Sequence, residues 1–199
     1  FLYNTLEAIR SEALIGGLGS VAEMSESLAK FFRYTISNTE NFVTVADEIR
    51  NVRDYMRIQQ YRFGERISLK LLIPDDDESL KAEIPKLILQ PIVENAIIHG
   101  LEEKKKGGWI EISSRTSDSV IEISVKDNGV GIEPDALLEI NRSLSQFSSD
   151  KSGKHGGIAI SNVNNRLHLL FGSDAGLAYY SVRGIGTTAV IRIPRRPDV

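Results

Sequence analysis

The stretch Gln90-Pro91-Ile92-Val93-Glu94-Asn95-Ala96-Ile97-Ile98-His99-Gly100 constrains this chain more than any other. It is apolar on almost every side, which predicts a helix from Lys86 to His99 packed beneath a sheet, with Pro85 suited to its start. Asn95 lies inside that helix, with Pro91 four residues before it and His99 four after, so the spacing puts all three on one face. A second constraint follows in the predicted strand Val120–Asp127. Ile121, Ile123 and Val125 share one parity and Asp127 continues it, while Glu122, Ser124 and Lys126 face the other way. A carboxylate on an apolar face is costly unless a donor meets it. That donor is either a ligand or the backbone of the turn before Gly129, which an Asp can cap. Gly129 and Gly131 let the backbone take special dihedrals and approach a bound ligand closely, with Ile132 completing the block. A third block, Gly156-Gly157-Ile158-Ala159, opens a helix that runs from about Ile158 to Phe171, and free N–H groups at a helix start attract anions. In the fourth, Gly184-Ile185-Gly186-Thr187, Thr187 shares strand parity with Ala189, Ile191 and Ile193, so its hydroxyl faces inward.

The rest of the chain fills in around these blocks. Leu2, Leu6, Ile9 and Ala13 fall at helical spacing, Gly16-Gly17-Leu18-Gly19 breaks the pattern, and Ser20 is placed to cap a second helix. There Val21, Met24, Leu28, Phe31 and Thr35 form a bundle-type stripe that two short helices cannot bury alone. Ser37 to Asn41 reads as a linker. Thr44 with Asp47 forms a capping-box pattern before a helix striped by Val45, Ile49, Val52 and Met56. Strands are expected at Ile67–Ile73, Trp109–Ser114, Leu177–Val182 and Thr187–Ile193. Ser143 to His155 is long, polar and glycine-containing, and is expected to act as a lid that orders on ligand binding. Glu102 to Lys106 reads as a solvated loop. With 199 residues there is room for one domain and a small appendage. A formal charge of -3 gives no reason to expect a nucleic-acid partner. Absence of cysteine excludes disulfides and thiolate chemistry, and no apolar run reaches the roughly 18 residues of a membrane span.

The four blocks, in this order, resemble the ATP site shared by gyrase, Hsp90, MutL and the sensor histidine kinases. Phe1-Leu2-Tyr3-Asn4-Thr5-Leu6 resembles the segment that follows the phosphoacceptor histidine in sensor histidine kinases of the LytS/YesM type. The resemblance implies an α/β fold, a two-layer α/β sandwich of the GHKL (Bergerat) ATP-binding kind with an N-terminal helical dimerisation segment. Residues 1–40 would be the remaining dimerisation and histidine-phosphotransfer helices, and 42–199 the catalytic ATP-binding domain. It further implies transfer of the γ-phosphoryl of Mg-ATP to a histidine just upstream of Phe1, then to the receiver domain of a response regulator. The expected setting is the cytoplasmic portion of a bacterial membrane sensor that dimerises through its N-terminal helices.

Residue by residue, the resemblance makes Asn95 the Mg²⁺ ligand, against the plainer reading of a buried Asn bonded to backbone. An amide oxygen suits an ion that takes few protein ligands and several phosphate and water oxygens. His99 is either a phosphate or ribose contact or a satisfied histidine at a helix end. Asp127 would accept from the adenine amine, which also selects against guanine. Gly129, Gly131 and Ile132 would line the base, Thr187 would face it, and Gly156, Gly157, Ile158 and Ala159 would cradle phosphates. Glu94 is a candidate for a role in phosphotransfer geometry, and Asn4, by analogy, for positioning a phosphatase water. Arg166, in Asn162-Val163-Asn164-Asn165-Arg166-Leu167, is expected to be structural through an ion pair. The chain departs from the family at three points: Ile98 stands where many relatives carry lysine, and His155 and Ala159 replace glycines. Pro91 occupies the position where gyrase-like ATPases carry a water-activating carboxylate, and proline cannot act as a base. Two rival classes are an ATP-driven conformational module of the gyrase or MutL type and a non-catalytic nucleotide-binding dimerisation module.

Overall fold

A computed structural model of the chain describes residues 1–36, 41–74, 76–145 and 158–195, with only the backbone of Ile158 included. Two helices lead, α1 (Leu2–Ile15) and α2 (Gly19–Ile36), joined by a turn in which Gly17 takes a φ of 70°. The second helix begins at Gly19, one residue before the expected Ser20 cap. Its fully buried positions are the small residues Ala22, Ser25, Ser27 and Ala29, whereas Val21, Met24, Leu28, Phe31 and Thr35 are only half-buried. Phe31 alone of that stripe is packed against the main core, beside Tyr55.

The short strand β1 (Phe42–Thr44) leads into α3 (Val45–Phe63) through the expected capping box. The Thr44 hydroxyl accepts from Asp47 N and the Asp47 carboxylate accepts from Thr44 N, both at 3.1 Å. Next come β2 (Ile67–Leu72), β3 (Glu83–Pro85), α4 (Leu89–Asn95), β4 (Gly108–Thr116), β5 (Val120–Asp127), α5 (Pro134–Ser145), α6 (Ile158–Phe171), β6 (Gly176–Val182) and β7 (Gly186–Pro194). The main sheet has the order β2-β4-β5-β7-β6, parallel at β2–β4 and antiparallel elsewhere, and β1 pairs with β3 in a separate two-stranded ribbon.

Alternation along the strands puts one set of side chains inward. Ile110 and Ile112, Ile121, Ile123 and Val125, Ala189, Ile191 and Ile193 are all buried, and they share one core with Val52 and Met56 of α3, Ile92 and Val93 of α4, and Val163 and Leu167 of α6. Helices therefore cover one face of the sheet, giving the two-layer α/β sandwich.

The predicted helix from Lys86 to His99 is the main departure. Pro85 closes β3, opposite Phe42, and Leu87 takes a φ of 62°, so the α-helix starts only at Leu89. The cause is a carboxylate from elsewhere. Glu48 of α3, fully buried, accepts from Leu87 N, Ile88 N and Leu89 N at 2.8 Å each. It satisfies the donors that a helix start leaves free, with no capping residue in the local sequence. The Tyr34 hydroxyl of α2 also donates to Glu48. From Ala96 to Leu101 the helix continues with π-type turns, a local widening often found at functional sites.

Candidate functional site: a cavity between the π-turn helix and the sheet

Asp127, Thr187 and Ser181 form one row across β5, β7 and β6, and Val125, Ala189 and Tyr179 form the row two residues away. Above these rows lies α4 with its π-turn extension. Between them is a cavity of about 230 Å³ into which Asn95, His99, Asp127, Gly131, Ile132, Tyr179 and Thr187 all project, with Ile92, Val125, Ile160 and Ala189 supplying apolar wall. The cavity-facing row of the helix is Ile92, Asn95, Ala96, His99 and Gly100, so Ile92 rather than Pro91 completes it. Ile98 is half exposed and points elsewhere.

Asp127 is the electrostatic centre of the cavity. It is 4% exposed, its Oδ1 accepts from Gly129 N at 2.7 Å, and the Thr187 amide lies near enough to favour its charged form. The turn-capping role and the cavity-lining role, alternatives in the sequence, are both present. Burial pushes its pKa above the ordinary carboxyl value, against the opposing pull of those two amides and of Lys104. A carboxylate in that condition gains from any further donor brought into the cavity.

Close backbone approach explains the glycines of the second block. A Cβ on Gly129 would lie 2.3 Å from the Gly100 carbonyl oxygen, and one on Gly131, whose φ is 70°, would lie 2.2 Å from that of Val182. The loop is thus wedged between the end of the π-turn segment and the β6–β7 hairpin. Val130 N donates to Gly100 O at 3.1 Å and Gly184 N to Val130 O at 2.7 Å. Ser181 fastens the same junction: its Oγ accepts from Ile132 N at 2.8 Å and donates to the Gly186 carbonyl at 2.9 Å. The Thr187 hydroxyl sits 2.9 Å from Ser181 Oγ. Since the one Ser181 proton goes to Gly186, Thr187 donates to Ser181 and keeps its lone pairs for the cavity.

Sequence reasoning missed Ser181, Tyr179 and Ile160. Strand parity would have placed Tyr179 inward, but nothing local marks it as polar lining. Glu102 to Lys106 is the exposed loop expected, apart from Lys104, but it is anchored at two residues. Arg66 donates to the carbonyls of Glu102 and Lys104, Arg62 pairs with Glu102 at 3.1 Å, and the Lys104 amine donates to the Asn128 carbonyl next to Asp127. Arg166 donates to the Lys86 carbonyl at 2.7 Å, so among the described residues its structural bond runs to the main chain and not to a carboxylate.

Glu94 lies away from the cavity: it accepts from Gln90 Nε2 at 2.7 Å, and Gln90 in turn accepts from Asn51 of α3 at 2.8 Å. Asn4 is exposed on the first turn of α1. Gly156, Gly157 and residues 146–155 of the expected lid lie outside the described residues, while Ser143 to Ser145 finish α5. Ala159 is exposed near the start of α6. Among the described residues no three His, Asp or Glu side chains gather as a metal cage. A divalent ion here would have to rest on Asn95 and on ligand and water oxygens, which fits Mg²⁺.

A buried carboxylate under an amide-bearing helix, with glycine-packed loops at the rim, defines a nucleotide-binding α/β sandwich. Residues 81–197 match the family described as histidine kinase-, DNA gyrase B-, and HSP90-like ATPase, and residues 1–67 match the histidine kinase family. The sensor histidine kinase YesM of Bacillus subtilis is 37% identical over the whole chain, and the sensor protein LytS of Staphylococcus haemolyticus 31% identical over 98% of it; the chain spans 32% of the length of each. A crystal structure of histidine kinase ThkA in complex with response regulator protein TrrA superposes with a TM-score of 0.52 at 15% identity, covering 93% of this chain and 52% of that one. The chain belongs to the histidine kinase-, gyrase B- and HSP90-like ATPase family, and within it to the sensor histidine kinases of the YesM and LytS type.

Proposed function

We propose that this chain is the kinase core of a two-component sensor. It binds Mg-ATP in the cavity beneath α4 and supplies the γ-phosphoryl for a histidine in the segment preceding Phe1, from which it passes to the receiver domain of a response regulator. The observation that carries this reading is Asp127: a carboxylate only 4% exposed, held by its own turn, facing a cavity of nucleotide-base size, and lacking only an outside donor. The exocyclic amine of adenine is such a donor; the carbonyl of guanine is not. Asn95 would hold Mg²⁺ through its amide oxygen, and the metal would neutralise phosphate charge at the cavity mouth near His99. When bound, Mg-ATP supplies the phosphoryl group, and the chain's residues orient it, keep water out of the base pocket and provide no water-activating carboxylate at Pro91. Gly129, Gly131, Ile132 and Thr187 would border the base, and Gly156, Gly157, Ile158 and Ala159 would take the phosphates. Neither Glu94 nor Asn4 gains support from its surroundings.

The named partner of the relative ThkA is a response regulator, which supports the same class of partner here. Dimerisation through α1 and α2 is supported by the apolar side chains those helices leave uncovered, among them Leu2, Ile9, Leu14 and Ile15. The division near residues 40 to 42 is supported by α3, whose Val45, Ile49, Val52 and Met56 belong to the sheet's core. No helix among the described residues is long and apolar enough to cross a membrane, and we assign any membrane attachment to upstream sequence. The test is radiolabelled phosphotransfer from ATP, using a chain extended upstream through the residue before Phe1. Acid-labile label on that residue supports the reading. Label on the 199-residue chain itself would force a different acceptor.

A further inference from the structure

Tyr179 stands on β6 with its backbone clamped at both groups by one side chain of α5. Its N–H donates to Asn141 Oδ1 at 2.9 Å and its carbonyl accepts from Asn141 Nδ2 at 2.7 Å. Its ring crosses the cavity floor, 8% exposed, and brings the hydroxyl up to the Asn95 amide. That approach lacks the geometry of a formed hydrogen bond, and the hydroxyl has no other partner among the described residues. A buried polar atom without a partner is destabilising unless something completes it. Tyr179 from the sheet and Asn95 from the helix thus bring polar groups to the same cavity from its two opposite layers.

We infer that Tyr179 is a positioning residue: its phenol oxygen accepts from Asn95 Nδ2 and so turns Oδ1 of that amide toward the metal and phosphates. The inference rests on the Mg-nucleotide reading above. An amide has two ends of nearly equal shape and opposite hydrogen-bonding character. An Asn free to flip would present its NH₂ to a cation for part of the time, which is repulsive. A phenol oxygen fixed from the opposite layer removes that ambiguity, because it rewards only the orientation in which Oδ1 faces away. A tyrosine phenol is neutral at ordinary pH, so it keeps its proton for the ligand side of the cavity. Phenylalanine would fill the same volume and lose only this device.

The experiment is calorimetric titration of ADP into the wild-type chain, Tyr179→Phe, Asn95→Ala and the double variant, each with Mg²⁺ and with EDTA, alongside thermal melts. Wild type should bind more tightly with Mg²⁺. Tyr179→Phe should lose roughly two- to fivefold in affinity with Mg²⁺, within the weight of one hydrogen bond and no more than Asn95→Ala loses, and nothing in EDTA. Added to Asn95→Ala it should have no further effect, because it acts through that amide. Its apo melting temperature should not fall, which separates positioning from packing. A Tyr179→Phe variant that keeps the full Mg²⁺ increment, while Asn95→Ala loses it, overturns the inference and spares the metal reading. An equal loss in EDTA, or a stronger increment in Tyr179→Phe, also overturns it. No increment in wild type overturns the metal reading and the inference together.

Discussion

Two buried carboxylates, Glu48 and Asp127, sit in the same layered core and have opposite characters. Glu48 is wholly enclosed and accepts three main-chain amides and a tyrosine hydroxyl, which leaves it fully coordinated by protein. Asp127 is almost as buried, yet among the described residues the donor bonded to its side chain is the Gly129 amide, and it borders a cavity. The first closes a junction: it joins α2, α3 and the start of α4, with Arg166 of α6 bonded to the Lys86 carbonyl just before it. The second leaves one open. Burial alone does not tell a structural carboxylate from a binding one; the difference is whether the protein itself has used up the acceptor capacity.

The sharpest break of that comparison is removal of each group. Glu48→Ala strands three amides and the Tyr34 hydroxyl in the core, and should cost more than about 3 kcal/mol of stability, given about 1–3 kcal/mol for each orphaned buried group. Denaturant unfolding measures it, and a loss below about 1 kcal/mol would mean that water replaces the carboxylate. Asp127→Asn should do the reverse. Nucleotide affinity should drop by at least about 1–3 kcal/mol, since an NH₂ group would face the adenine amine, while the apo melting temperature holds or rises because a buried charge has gone. Unchanged ADP affinity by calorimetry would sink the adenine assignment.

Smaller effects sharpen the contrast. Asn95→Ala should weaken ADP binding by about 1 kcal/mol in Mg²⁺ and little in EDTA, as expected for one hydrogen-bond-scale contact made through the metal; an equal loss in both conditions would make Asn95 structural. Acidity should act on Asp127 in two directions. Its folded pKa is raised by burial, so folding takes up a proton. The group's stabilising contribution is complete below the unfolded carboxyl pKa and is lost as pH rises through the folded value. Binding of an amine donor needs the anion, so nucleotide affinity should fall as pH falls through that raised value, and this slope should vanish in Asp127→Asn. Affinity measured across acidic pH in both proteins decides the point, and parallel slopes would assign the titration elsewhere.

Much of this architecture was legible from the chain. Strand parity put Asp127 and Thr187 inward, and both lie there in register across β5 and β7. The Thr44–Asp47 capping box formed as the local pattern required. The start of α4 was not legible: Pro85 and the apolar run favoured a helix from Lys86, but Glu48, 39 to 41 residues away in sequence, captured the amides of Leu87, Ile88 and Leu89 and moved the start to Leu89. Ser181 and Tyr179 were equally hidden, being an ordinary serine and tyrosine on an edge strand until Ile132 and Asn95 are folded against them. The sequence by itself determined what depends on near neighbours: the period of each strand and the Thr44–Asp47 capping box. Only the tertiary structure decided which buried polar groups are satisfied by protein and which are left facing a cavity, because that accounting runs between elements far apart in the chain, and its outcome separates a core from a site.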